Sequence, residues 1–192
     1  STLEQKIKSM FPSGTPVLCS SGRAAINMVL LYQNQTRPDL IGVNYYTSHC
    51  VLDSISRIAT PVIWDPNNFD IKKRIIYHQY GYIKNENSVI DGIDDCVDTL
   101  CDLNTKLFPT NKTFEIWSLP KILGTSSGAI LWCKTEYIAK KMRNIRDKKG
   151  GGFFYWILRV FGLFSKNNYW LWQGIAAEKA KLSRLELFEI NN

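Results

Sequence analysis

Leu40-Ile41-Gly42-Val43-Asn44-Tyr45-Tyr46, then Ser48 to Ala59, then Pro61-Val62-Ile63-Trp64-Asp65: the reading of this stretch decides the fold class. The first segment is a short apolar run bounded by polar residues, the pattern of a buried strand. In the second, Val51, Leu52, Ile55 and Ile58 recur three and four residues apart, which places them on one face of a helix. The third is again short and rich in β-branched side chains. Strand, helix and strand in so short a span make a βαβ unit, whose two strands lie parallel.

The alternation extends in both directions. Leu3–Met10 and Ala24–Tyr32 have helical spacing, and between them Pro16-Val17-Leu18-Cys19 is a short apolar segment leading into a small-residue turn. Further strands are expected at Arg74–His78, Ser88–Asp91, Thr113–Trp117 and Gly128–Trp132, followed by a basic amphipathic helix over Thr135–Asp147 capped by Thr135. Residues 1–150 therefore read as a three-layer α/β/α domain with a mainly parallel sheet. Past Gly150-Gly151-Gly152 the character changes. Residues 151–192 hold an aromatic segment, Phe153–Phe164, and a long helical pattern over Asn168–Ile190. That region is expected to pack on a partner subunit or a further domain.

Composition narrows the function classes. The chain has 192 residues, of which 45% are hydrophobic and 12% aromatic, enough to build a core and too much for disorder. No apolar run reaches the ~18–20 residues a membrane-spanning helix needs. The opening Ser1-Thr2-Leu3-Glu4-Gln5-Lys6 lacks the order of a signal peptide, so a cytoplasmic protein with no transmembrane segment is expected. Five cysteines stand singly and without metal-ligand spacing, which reads as buried free thiols, with neither a disulfide framework nor a metal site. The net charge of +7 is concentrated in residues 134–166, which carry 9 basic and 2 acidic side chains. Such a patch could face lipid headgroups or an anion; with no recognised module present, nucleic acid is not an expected partner.

Three elements carry chemistry. Ser20-Ser21-Gly22-Arg23-Ala24 is a small-residue turn opening a helix, where outward N–H groups and the helix dipole favour an anion or simply a cap. Asp91, Asp94, Asp95 and Asp98 gather beside an apolar strand, as ligand-crevice carboxylates or as acids at a helix start. Lys121, in Ser118-Leu119-Pro120-Lys121, lies between a strand and a small-residue loop, either reaching solvent or desolvated and nucleophilic.

In their order along the chain these segments resemble the catalytic domain of the DegT/DnrJ/StrS sugar aminotransferases, which use pyridoxal 5'-phosphate (PLP) on the fold type I scaffold. Ser20–Ala25 resembles the family's phosphate turn, and Asn44–Ile55 its strand-loop-helix after the second strand. Pro61–Asp65 and His78-Gln79-Tyr80-Gly81 resemble two further motifs. Ile93-Asp94-Asp95-Cys96 resembles Ile-Glu-Asp-(Ala/Cys), and Ser118–Lys121 followed by Ser127–Leu131 resembles the Schiff-base lysine and the strand after it. The likeness runs over roughly residues 15–147.

The resemblance implies that Lys121 forms the Schiff base and moves a proton, while Asp95 pairs with the pyridine nitrogen. It implies a phosphate site at Ser21, Gly22 and Arg23, helped by Ser118. His49 would stand in for the ring-stacking aromatic, and Asp98 would lie near the phenolic oxygen where the family usually has Gln or His. Asp91 and Asp94 would then be surface or capping acids. The implied function is amino transfer from an amino acid, glutamate, to a nucleotide-linked keto-sugar for surface polysaccharide synthesis, by a homodimer. Family members are about twice as long, with a small C-terminal domain that this chain lacks. The expectation is that a separate chain supplies it, or that the protein is a fragment or a non-catalytic homologue serving as an interaction partner.

Overall fold

A computed structural model of the chain describes residues 2–84, 90–99, 102–125 and 127–148. The Phe153–Phe164 and Asn168–Ile190 segments lie outside them. In chain order the elements are α1 (Thr2–Met10), β1 (Thr15–Cys19), α2 (Gly22–Tyr32), β2 (Leu40–Val43), α3 (His49–Ser56), β3 (Thr60–Ile63), β4 (Lys73–Tyr77), β5 (Gly92–Asp95), β6 (Phe114–Ser118), α4 (Leu119–Leu123), β7 (Ala129–Cys133) and α5 (Glu136–Lys148). The seven strands form one sheet in the order β1-β7-β6-β5-β4-β2-β3. Strand β7 runs antiparallel to both its neighbours, and the other ladders are parallel. Six strands therefore point the same way and deliver their carboxyl ends to one side.

Period-two alternation assigns each side chain to a face. Along β7, Ala129, Leu131 and Cys133 join a core with Ala25, Val29, Ile55 and Met142 from α2, α3 and α5. Ile130 and Trp132 turn the other way, into a second core with Phe11 and Trp117 that Ile7 of α1 and Leu119 and Ile122 of α4 cover. There the rings of Phe11, Trp117 and Trp132 meet edge-on at 5.1–5.5 Å between centroids. Leu131 and Ile116 have no exposed surface, so truncating either to Ala should cost about 2–5 kcal/mol.

Three expectations need correction. The strand placed at Ser88–Asp91 lies instead at Gly92–Asp95. A Cβ at Gly92 would stand 1.8 Å from the Arg74 carbonyl oxygen, so this glycine is where β4 can come close enough to begin pairing. The Pro16–Cys19 segment is a full edge strand, paired with β7. Both edge strands begin Thr-Pro-Val, and a proline, which has no N–H to offer, fits an edge. The thiols are not uniformly buried: Cys19, Cys96 and Cys133 are, but Cys50 is exposed. Burial pushes the thiols of Cys19 and Cys133 up to about 12. Among the described residues no helix is long and apolar enough to cross a membrane, and no cluster of His, Cys, Asp or Glu could hold a metal ion.

Candidate functional site

The sequence-predicted residues come together by topology. Ser21, Gly22 and Arg23 follow β1, His49 follows β2, Asp95 ends β5 with Asp98 just beyond, and Ser118 ends β6 with Lys121 one turn further on. All of them lie at the carboxyl ends of parallel strands, where α/β sheets bind ligands.

Local chemistry fixes each position. Ser21 is the N-cap of α2, its backbone extended and its hydroxyl accepting the Ala24 amide at 3.2 Å. The amides of Gly22 and Arg23 find no acceptor among the described residues, as expected in a first helical turn. A Cβ at Gly22 would sit 3.6 Å from both Val97 and Ile116, so the α2 start stands directly over the ends of β5 and β6. Ser118 is the N-cap of α4 but its hydroxyl makes no cap hydrogen bond. One residue joins these two turns: the Gly128 amide donates to the Ser20 carbonyl (3.1 Å), and the Leu119 amide donates to the Gly128 carbonyl (3.2 Å). Gly128 holds φ +113°, a conformation for glycine, and a Cβ there would press on Leu119 at 3.0 Å.

Asp95 is 1% exposed. By alternation it shares the α2 face of the sheet with Ile93. Its carboxylate's only hydrogen bond among the described residues comes from the Val97 amide at 3.4 Å. Burial pushes its carboxyl up to about 6, and the Val97 amide and the nearby Lys121 ammonium pull the other way without cancelling it. A buried carboxylate with one long hydrogen bond is a place prepared for a cation or an N–H donor.

Asp94 is corrected from a surface acid to a fully buried one on the opposite face. It accepts the Thr110 hydroxyl (2.5 Å), the Thr110 amide (3.3 Å) and His78 Nε2 (3.0 Å). The Lys84 amide donates to His78 Nδ1 at 3.1 Å, so the ring proton sits on Nε2 and points at Asp94. Asp94 lies in register with Glu115, whose carboxyl burial pushes up to about 7. Trp117 Nε1 donates to Glu115 at 2.5 Å, and the Phe108 amide donates to its other oxygen. Residue spacing alone did not reveal this second set; the signal was present only as His78 within the His78–Gly81 motif. Asp91 takes the Thr113 hydroxyl at 2.7 Å and Lys73 at 3.2 Å, bracing the start of β5.

Lys121 is half exposed and its ammonium is ion-paired with Asp98. Of the two readings of this lysine, the desolvated one does not describe the structure. The Asp98 carbonyl in turn accepts the Gly81 amide at 3.2 Å, tying the turn after β4 to the turn after β5. His49 opens α3 and is exposed, and its ring has no hydrogen-bond or aromatic partner among the described residues. The carboxyl end thus offers an amine, a buried acid, two open amides and an uncommitted hydroxyl. These suit a group that carries an anion, a carbonyl and a protonatable nitrogen.

Comparison with known proteins bears on what that group is. The family described as "Putative PLP-dependent aminotransferase" matches residues 3–192. No curated protein matches. Among solved structures, a DegT DnrJ EryC1 StrS aminotransferase from Brucella abortus is similar at 13% identity and TM-score 0.60, over 74% of this chain and 48% of that one. DesV of S. venezuelae, solved in complex with a ketimine intermediate, is similar at 14% identity and TM-score 0.63, over 76% and 47%. An aminotransferase from Psychrobacter cryohalolentis reaches TM-score 0.63 at 13% identity, over 88% and 47%. The chain spans about half the length of these structures. At such identities the likeness establishes the fold.

Proposed function

The chain belongs to the PLP-dependent aminotransferase family that matches residues 3–192, and on that premise we propose that the carboxyl end of its sheet holds the cofactor of a sugar aminotransferase. Lys121 would hold PLP covalently through Nζ. Asp95 would face the ring nitrogen, the amides of Ser21, Gly22 and Arg23 with the Ser118 hydroxyl would take the phosphate, and His49 would cover a ring face. When bound, the group supplies an electron sink for an amino acid's α-carbon. Asp95 would keep a proton on the ring nitrogen, because a cation against a buried, under-bonded carboxylate relieves the cost of its burial. Asp98 would hold the Lys121 ammonium until the cofactor engages it, and Lys121 Nζ would then carry the proton to and from the α-carbon.

The observation that carries this reading is Asp95: 1% exposed, at a strand's carboxyl end, its carboxylate accepting one hydrogen bond among the described residues, at 3.4 Å. The wider reading follows the resemblance: glutamate as donor, a nucleotide-linked keto-sugar as acceptor, and a homodimer, with any domain beyond this chain supplying further substrate contacts. The test is to add PLP to the purified chain, record the visible absorbance, reduce with borohydride and map the label by mass spectrometry. The expected label is on Lys121, and Lys121→Ala should lose both band and label. If the wild-type chain takes no label with excess PLP, catalysis by this polypeptide is abandoned in favour of the non-catalytic homologue.

A further inference from the structure

An edge strand leaves one row of backbone groups unpaired, a template for another strand. In β1 that row belongs to Pro16 and Leu18, whose neighbours in sequence turn toward β7. Pro16 has no N–H, and its carbonyl accepts Arg143 Nη2 at 3.2 Å. The Leu18 amide donates to Glu4 Oε1 at 2.9 Å, and the Leu18 carbonyl accepts Arg146 Nη1 at 3.1 Å. Just ahead of the strand, Lys8 Nζ donates to the Gly14 carbonyl at 2.6 Å. Every outward polar group of Pro16 and Leu18 is therefore taken, and always by a side chain.

Glu4 joins the set together. It is 3% exposed, and besides Leu18 it accepts Arg143 Nε at 3.1 Å and Arg146 Nη1 at 2.8 Å. Burial alone would raise its carboxyl, but the Leu18 amide and Arg146 outweigh that and hold it below the usual carboxylate range. The opposite edge has no such cover. Among the described residues no side chain bonds the backbone of Pro61 or Ile63, and Ile63 is 60% exposed. The difference is not one of strand chemistry, since both edges begin with the same three residue types.

We propose that Glu4, Lys8, Arg143 and Arg146 form a clamp that withholds β1 from strand addition, and that opening it makes β1 a self-association surface for a second copy of this chain. The occupant follows from the strand. Two antiparallel copies related by a two-fold axis at Leu18 would exchange the Leu18 N–H and C=O groups, the self-complementary arrangement that symmetric dimers use. Thr15-Pro16-Val17-Leu18-Cys19 carries no charge to oppose it. The clamp draws one half from α1 and the other from α5, so movement of either helix releases it. This inference does not depend on the cofactor reading.

The experiment uses the full chain. Hydrogen exchange at the Leu18 amide is followed in dilute solution, and mass is followed by light scattering as concentration rises, for wild type, Glu4→Ala, Arg146→Ala and Glu4→Ala with Leu18→Pro. Glu4→Ala should speed Leu18 exchange about tenfold or more and give a particle of twice the wild-type mass. Adding Leu18→Pro, which removes the outward donor, should restore the wild-type mass. Should Glu4→Ala fail to fold, Arg146→Ala carries the same two readouts. Wild-type mass with an unchanged Leu18 amide overturns the proposal, as does a larger particle that survives Leu18→Pro.

Discussion

Asp94 and Asp95 are adjacent, equally buried and chemically identical, yet they sit on opposite faces of β5 and do opposite things. The Asp94 carboxylate is bonded to His78 and twice to Thr110, while among the described residues that of Asp95 has a single long bond from Val97. The first is a finished interaction that holds the turn after β4 and the 110 region to the sheet. The second is unfinished, and its carboxyl is pushed up to about 6. The pair shows that burial by itself does not distinguish a satisfied carboxylate from an unsatisfied one.

The largest test of that contrast is Asp94→Ala. It leaves His78 Nε2 and both Thr110 donors buried without an acceptor, so unfolding in urea should show a loss of about 3–5 kcal/mol. Asp95→Asn should act the other way in the cofactor-free chain, gaining about 1–2 kcal/mol at pH 7 because it removes a poorly compensated charge. With PLP present the same change should weaken binding about tenfold or more in a fluorescence titration. If both substitutions destabilise alike, the contrast fails.

A pH series sharpens it. The carboxyls of Asp95 and Glu115 ordinarily titrate at 3.8 and 4.5, and burial pushes them up to about 6 and about 7. Below their ordinary values both folded and unfolded chains hold these protons. As pH rises through about 4 to 7 the unfolded chain releases them first, so stability falls, by about 3 kcal/mol at most for each group. Asp91 and Glu4, held below their usual range, add stability above it and lose that contribution in acid. Thermal stability of the cofactor-free chain should therefore peak at about pH 4 and decline from there to about pH 7, and Asp95→Asn should flatten that decline.

Two smaller effects test the site's frame. Gly128→Ala strains a residue at φ +113° and crowds Leu119, and should cost about 1–2 kcal/mol. Because that residue joins the turns after β1 and β6, PLP affinity should fall with it. Ser118→Ala should move thermal stability by no more than about 0.5 kcal/mol, since the hydroxyl makes no cap bond. It should still loosen PLP several-fold in the same titration.

Most elements were legible because periodicity survives in them: α2, α3 and α5 lie where three-and-four spacing put them. Strand β5 was not. Val89-Ile90 has the residues a strand prefers, whereas Gly92-Ile93-Asp94-Asp95 has two carboxylates and a glycine that strands disfavour. Hydrogen bonds from Thr110 and His78, far away in sequence, and the close approach of Arg74 outweigh that preference. At the site, the order of motifs led to Lys121, Asp95 and the Ser21 turn. Sequence gave no warning that Asp98 would pair with Lys121, because the two are 23 residues apart and meet only through the sheet.

By itself the sequence determined a parallel α/β sheet, the residues at the strands' carboxyl ends and the resemblance those residues carry. Each follows from local spacing, which backbone geometry converts directly into faces and ends. Tertiary structure alone decided which of two neighbouring aspartates is satisfied, which lysine meets which carboxylate, and how β1 is closed by Glu4, Arg143 and Arg146. Those outcomes depend on partners up to 142 residues away, and no local pattern encodes whether a buried polar group will find one.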